Sequence, residues 1–289
     1  MLRFVSLSVL SVSFLMRSGL AEVPSSKHVV LVVEENHGYD SAIAKMQSLE
    51  KLAKQYAAAT NYYGNAHPSI GNYFVMTTGW AKSTDDGFDG TIAEENIVSQ
   101  IASAKKSWKV YADGLPNTGY TGNNVKKNHY VKRHVPMAYF DVVRNDKTQA
   151  ENLVPFEQFS RDLAAGLPDF SLVIPNLCHD AHGTVFGCGD SLETADQWLQ
   201  DNVIGPLLKN EGFQQDGILI VTFDEAETSD KAHGGGHILT VVAGPKVKPH
   251  YEGNVLYQHE SLFVTLEKAL GLPRLEVVKS TTDMADLFQ

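Results

Sequence analysis

The chain is poor in cysteine, in basic charge and in long apolar runs, and each shortage closes off a set of options. Two cysteines, Cys178 and Cys188, in 289 residues exclude a disulfide-built scaffold and a cysteine-rich metal module. The 24 Lys and Arg are outnumbered by 34 Asp and Glu, for a net charge of -10. Such a surface repels nucleic acid and anionic membranes unless the field is reversed locally, as a cation in a pocket would do for a small anion. Beyond residue 21 no stretch is long and apolar enough to span a bilayer, and there is no internal repeat or low-complexity linker. What remains is a chain with 43% hydrophobic residues, ample for the core of one large α/β domain or two smaller ones.

Residues 1–21, MLRFVSLSVLSVSFLMRSGLA, join Arg3 to a short, Ser-rich apolar stretch and small residues at Gly19 and Ala21. This is the pattern of a secretory signal peptide cut after Ala21. A membrane anchor is the alternative, which the short run and the interrupting Arg17 disfavour. The expectation is a secreted or periplasmic protein without a stable membrane anchor, with residues 22–289 as a single domain. Export also favours a disulfide between Cys178 and Cys188, ten positions apart, closing one loop.

Residues 28–33 form a continuous apolar run with β-branched side chains and no alternation, as expected of a strand covered on both faces. Runs at 108–112, 170–174, 217–223 and 238–243 have the same character. Helical periodicity falls between them, at 42–56, 69–77, 97–105, 156–165, 194–209 and 260–270. This alternation predicts an α/β fold, a mostly parallel sheet with helices on both faces. Residues 82–146 are rich in Gly, Asn, Asp and Tyr and weakly periodic, so a loop-rich region capping the site is expected there.

Four segments place ligand side chains where strands meet loops, and the carboxyl ends of strands in such a sheet converge on one edge. Glu35 and Asn36 follow the first strand, and a carboxylate beside an amide oxygen suits a hard divalent cation; a simple polar turn is the alternative. Asp224 and Glu225 end the run GILIVTF in the same way, and two acidic strand ends in one sheet repel unless a cation lies between them. Ser69, in HPSIGNY, opens a predicted helix, where it is either an N-cap or a nucleophile facing an anion at the helix N-terminus. Asn72, one turn on, is placed to donate to a phosphate oxygen. The segment 176–182, NLCHDAH, offers Asn176, Asp180 and His182 to a cation or an oxyanion. His237 closes HGGGH, whose glycines permit close backbone approach to a ligand. A lone histidine is more often structural; His182 and His237 are preferred over His179 and His233 because they adjoin the strand framework, and His134 and His259 are weaker candidates.

Together EENHGYD, HPSIGNYFVMTTG, YVKRHVPMAYF, FSLVIPNLCHDAHG, ILIVTFDEAE, GGGHI and MADLF resemble the secreted phosphoesterase family of bacterial and fungal acid phosphatases and phospholipases C, a branch of the alkaline phosphatase superfamily. The similarity runs in order from about residue 28 to residue 288. It implies an alkaline phosphatase-like fold and one divalent metal ion held by Glu35, Asn36, Ser69, Asp224 and Glu225. It further implies a Ser69 nucleophile forming a phosphoseryl intermediate. His182, His237, Asp180 and Asn176 would lie around the phosphate of a small phosphate-ester substrate, with His182 or His237 protonating the leaving alcohol, and His134 and Asn72 are the further candidates for binding substrate. Two departures stand out: the late pair is Asp-Glu where some relatives carry Asp-Asp, and His179 stands where many have Asn.

The resemblance leaves phosphomonoesters, phosphodiesters and phospholipid head groups all open. A serine esterase of α/β-hydrolase type is the rival enzyme class, since Ser69, Asp224 and His237 or His259 occur in its order. Against it, His67 and Pro68 fit poorly in a nucleophile elbow, and Glu35 would have no task. An extracytoplasmic binding protein that keeps the pocket without turnover is the non-enzymatic alternative.

Overall fold

Valine-, isoleucine- and leucine-rich runs with no polar alternation have to be covered on both faces, and the computed structural model, which describes residues 21–182, 188 and 191–289, covers them. The signal-peptide reading, residues 1–21, lies outside the described residues except for Ala21. The strands are β1 His28–Glu34, β2 Ala57–Tyr63, β3 Trp108–Ala112, β4 Leu153–Pro155, β5 Phe170–Ile174, β6 Gly217–Phe223, β7 His237–Ala243 and β8 Tyr251–Gly253. They form one sheet in the order β4-β3-β5-β1-β6-β7-β2-β8. The central strands β5 and β6 are buried throughout, as is β1 after His28. The fold is the expected one: a mostly parallel sheet with intervening helices, in which only β7 runs antiparallel to its neighbours β6 and β2.

That reversal matters for the site. With Thr222 opposite Thr240 in the β6–β7 ladder and Tyr63 opposite His237 in the β2–β7 ladder, the start of β7 lies at the edge where β1, β5, β6 and β2 end. Strands β2, β4 and β8 were not anticipated. The first is AAATNYY, short of β-branched residues and apolar contrast, and its neighbours rather than its own propensity hold it extended.

Two helices differ from expectation. The one expected at 42–56 is two, Tyr39–Lys45 and Gln47–Gln55, hinged at Met46. The one at 194–209 starts at Ser191 and widens into a π turn at Gln200–Ile204 before Gly205–Lys209. Pro206 has no N–H and its ring clashes with a regular turn below it, which a widened turn relieves. Within 82–146 lie the helix Ile97–Ser103, strand β3 and three short 3-10 turns, Lys126–Asn128, Lys132–His134 and Pro136–Tyr139. Among the described residues no helix is long and apolar enough to cross a membrane.

Candidate active site

The carboxyl end of β1 is pinned by backbone hydrogen bonds to its neighbours. Glu35 N donates to Asp180 O at 2.6 Å and Asp224 N to Glu34 O at 2.9 Å. The chain then turns through Asn36 at φ 56°, a left-handed conformation that asparagine tolerates better than most residues. Asp224 Oδ1 accepts from Asn36 N at 3.2 Å and from Glu225 N at 2.7 Å, which fixes its carboxylate under the β1 turn. Beneath it His259 is fully buried; its Nε2 donates to Asp224 O at 2.6 Å and its Nδ1 accepts from Tyr62 Oη. Burial pushes the His259 imidazole down to about 4, so it is a neutral brace, not an acid or base at neutral pH.

Strand β2 delivers Ser69. After Tyr63 the loop 64–68 runs to the helix Ile70–Thr78, with Ser69 at its N-cap position. The loop is held from inside the helix by Asn72, whose Oδ1 accepts from Asn65 N and Ala66 N and whose Nδ2 donates to Ala66 O and, at 3.3 Å, to Glu225 Oε2. Asn72 is thus a bracket between the loop and Glu225. The glycines before β7 serve the same loop: Gly64 N donates to Gly236 O and Gly235 N to Gly64 O. A Cβ on Gly235 would fall 2.6 Å from Gly64 C, and one on Gly234, itself at φ +103°, 2.1 Å from Asn65 O. The close approach expected of HGGGH is to the chain itself.

Ser69 is 2% exposed and its hydroxyl donates to Glu225 Oε1 at 3.5 Å, with no N-cap bond to its own helix. Among the described residues no imidazole bonds to Ser69 Oγ, which removes the Ser-His pair that a serine esterase requires. His67, not singled out from the sequence, lies 3.1 Å from Glu225 Oε2 through Nδ1, while its Nε2 donates to Asp230 O at 2.7 Å.

On the other side of β1 the turn after β5 brings Asp180 and His182 to Glu35. Asn176 Oδ1 accepts from Cys178 N, and Asp180 Oδ1 from His182 N. The Cys178–Cys188 disulfide is formed, with Cα atoms 5.0 Å apart. Glu35 forms short charge-assisted contacts to His134 Nε2 and His182 Nδ1, and His134 Nδ1 lies 3.5 Å from Asp180 Oδ2. His134, a weaker candidate from sequence, is therefore central, and it stacks on Tyr73 at 5.1 Å. Its one flag in the sequence is its place in YVKRHVPMAYF, a segment that follows no strand directly. His237 is not drawn into this cluster: its Nε2 faces Thr60 O at 2.9 Å and its ring stacks on Tyr39. His179 bonds to Asp113 and stacks on Trp198.

The electrostatics separate the groups. Burial raises the Glu35 carboxyl, but His134 and His182 outweigh it and hold Glu35 well below the usual range. Burial lowers His134, yet Glu35 and Asp180 push it up to about 9. The hydrogen bond to Glu35 raises His182. On the β6 side burial, then Glu35 and Glu225, drives Asp224 well above the carboxylate range, and burial with Glu35 and Asp86 lifts Glu225 to about 8. Glu34 was also missed: it is fully buried, neither carboxylate oxygen has a hydrogen-bond partner among the described residues, and burial followed by Asp180 raises it well above normal.

This donor set fits a divalent cation. Glu35, His134 and Asp180 offer ligand atoms within 4.8 Å of one another. Asn36 Oδ1 and Asp224 Oδ2 are buried without hydrogen-bond partners among the described residues, in an edge that also buries Glu35, Asp180 and Glu225. Hard oxygen donors of this kind suit Mg, Ca or Mn, and with imidazole also Zn or Fe.

Comparison with known proteins gives this edge its family. The model of the phosphoesterase family matches residues 42–273, and the chain belongs to that family. It is 30% identical over 260 residues to a probable acid phosphatase of Kluyveromyces lactis, covering 86% of this chain and 59% of that one. It is 29% identical over 273 residues to a phosphatidylinositol-3-phosphatase of Mycobacterium tuberculosis, covering 92% and 84%. The chain spans between 54% and 59% of the length of the first three curated acid phosphatases it matches. Among solved structures, a protein of the alkaline phosphatase superfamily from Vibrio parahaemolyticus superposes with a TM-score of 0.62 at 12% identity, over 88% of this chain and 69% of that one. That likeness is one of fold.

Proposed function

We propose that the chain is a metal-dependent phosphatase that hydrolyses small phosphate esters through a phosphoseryl intermediate on Ser69. The observation that carries the reading is the buried placement of Ser69 against Glu225, beside orphaned oxygens of Asn36 and Asp224 at one sheet edge. The names of the acid phosphatase and phosphatidylinositol phosphatase relatives support the same reaction class. Glu35, Asn36, Ser69, Asp224 and Glu225 would hold one divalent cation. When bound, the cation offsets the surplus carboxylate charge, lowers the pKa of the Ser69 hydroxyl and stabilises negative charge on the transferring oxygens.

The protein groups then divide the work. Ser69 Oγ gives up its proton toward Glu225 and forms the bond to phosphorus as the bond to the leaving oxygen breaks in line. His182 Nδ1 donates to Glu35, a group that only accepts, so Nε2 is the ring atom free to face the substrate. That nitrogen protonates the leaving alkoxide. His134, fixed as a cation between Glu35 and Asp180, adds positive charge next to the phosphoryl site. Water attacks the phosphoserine in the second half-reaction, releasing phosphate and restoring the Ser69 hydroxyl. With its Nε2 tied to Thr60, His237 takes no part in this transfer.

The test is exhaustive chelation followed by add-back of single divalent cations, read on p-nitrophenyl phosphate. Several kcal/mol of transition-state stabilisation correspond to a loss of on the order of 10²-fold or more on chelation, restored by add-back. Full activity in metal-stripped protein defeats the reading.

A further inference from the structure

Beside the Ser69 helix lies a cavity of about 340 Å³ that the reaction just described leaves unused. Lys132, Arg133, Asp86, Asp89, Asn123 and Asn124 line it. Two contacts tie it to the catalytic edge. Asp86 Oδ1 accepts from Ile70 N at 3.2 Å, the first amide of the helix that Ser69 caps. Lys132 and Arg133 share their 3-10 turn with His134, the imidazole set against Glu35.

The cations of this lining are held at a cost that their present partners return poorly. The Lys132 side chain is only 7% exposed; its ammonium sits 4.4 Å over the Tyr139 ring, and its one carboxylate, Asp89 at 3.3 Å, is 79% exposed. A buried ammonium facing a freely moving surface carboxylate gains little from the pair. Arg133 meets Asp86 through Nε at 3.1 Å, an ion pair in which that nitrogen makes no well-directed hydrogen bond among the described residues, and no ion pair of its terminal nitrogens is seen among them. The donor edge best suited to a two-oxygen anion is therefore open. Asp86 and Asp89 stand where an incoming anion would go, on a segment held by short turn bonds and by Phe88 packed on Phe74 and Tyr139, which leaves the two carboxylates themselves as the parts to move.

We infer that this cavity is a subsite for a second phosphate group, carried on the alcohol of the substrate, so that the favoured substrates are phosphomonoesters of alcohols bearing a further phosphate. The inference rests on the phosphatase reading of the Ser69 site. Arg133 supplies the fork, Lys132 the point charge, and the side-chain amides of Asn123 and Asn124 further donors. Asp89 swings into solvent as the phosphate enters, and Asp86 yields its place against Arg133 while keeping its bond to Ile70 N.

The test compares kcat/KM for glucose 1,6-bisphosphate and glucose 6-phosphate. Charge-assisted hydrogen bonds of ordinary strength predict a preference for the bisphosphate of about tenfold or more, expressed in KM. Arg133→Gln and Lys132→Met should each bring that ratio down toward one, with Arg133→Lys recovering part of it. Asp86→Asn, which keeps an acceptor for Ile70 N and removes the competing charge, should raise it. An equal kcat/KM for the two sugars, or a ratio that Arg133→Gln and Asp86→Asn both leave unmoved in folded protein, overturns the subsite. Calorimetric binding of the same two sugars to Ser69→Ala protein supplies a readout free of turnover. Tighter binding of the bisphosphate, lost in Arg133→Gln, supports the subsite even if no ester is hydrolysed, an outcome that would count against the phosphatase reading alone; equal binding overturns it. A third substrate, a phosphoinositide monophosphate in phosphatidylcholine vesicles, assigns the source. Turnover above that of the soluble bisphosphate, with the same dependence on Arg133, points to a lipid head group, and the reverse order to a soluble sugar phosphate.

Discussion

The two halves of the catalytic edge handle negative charge in opposite ways. On the β5 side of β1, Glu35 and Asp180 are matched by His134 and His182, and Glu35 is held ionised. On the β6 side, Asp224 and Glu225 face backbone amides, the Ser69 hydroxyl, the Asn72 amide and a single imidazole, His67, and both carboxyls are pushed up. One half sets two imidazoles against its carboxylates, although burial raises Asp180 there as well, and the other has a single imidazole, His67, among the described residues. On the proposed reading the cation offsets charge chiefly at the Ser69 half, and proton transfer falls to the half with two imidazoles.

The sharpest way to break this division is to remove the proposed nucleophile. Ser69→Ala should cut kcat by on the order of 10³-fold or more while leaving the fold intact, since Ser69 makes no cap bond to its helix; a loss under about tenfold would reduce Ser69 to a structural residue. The paired half is tested by His182→Ala on two esters. A general acid contributes about 10²- to 10⁴-fold, so turnover of an alkyl phosphate should collapse while that of p-nitrophenyl phosphate, whose leaving group departs unprotonated, falls far less. Equal losses on the two esters would return His182 to a binding role.

Proton linkage separates the halves without any assay of turnover. Glu225, with a folded value of about 8 against an ordinary 4.5, keeps its proton in the folded state where the unfolded chain releases it. Metal-free protein should therefore lose stability as pH rises from about 4.5 to about 8, by roughly 5–10 °C in Tm. Glu35 has the opposite sign: its contribution is present above 4.5 and lost as pH falls below it. His134 adds stability that is full below 6.5 and fades as pH rises through about 9. Glu225→Gln isolates the first contribution, and a divalent cation should flatten the same slope; melts whose slope neither change affects would erase the contrast between the halves. The smallest effect concerns the scaffold of the Ser69 half. Gly235→Ala drives a methyl into the Gly64 backbone and should lower Tm by roughly 3–10 °C, with activity falling as the 64–69 loop shifts.

Much of this edge is legible along the chain because ligand residues must directly follow buried strands. Glu35–Asn36 after β1, 176–182 after β5 and Asp224–Glu225 after β6 each carry that signature, and the five apolar runs reveal the central sheet. Ser69 is recognisable from its motif, but its route to the edge is not, since β2 is an alanine-rich segment that becomes a strand only between β7 and β8. Glu34 hides beside Glu35 because alternation along a strand sends adjacent side chains to opposite faces, and the sequence does not say that both faces are closed.

Composition and local pattern by themselves determined an acidic α/β chain with ligands at strand ends, because burial of uninterrupted apolar runs and the chemistry of carboxylate, amide and imidazole are properties of short segments. Tertiary structure alone decided which of eleven histidines serve the site. His134 enters from a turn with no strand before it, His67 turns to Glu225, His259 is sealed as a neutral brace and His237 is spent on Thr60. An imidazole's role depends on which acceptor each nitrogen meets and how much water is excluded, and both are fixed by residues distant in sequence.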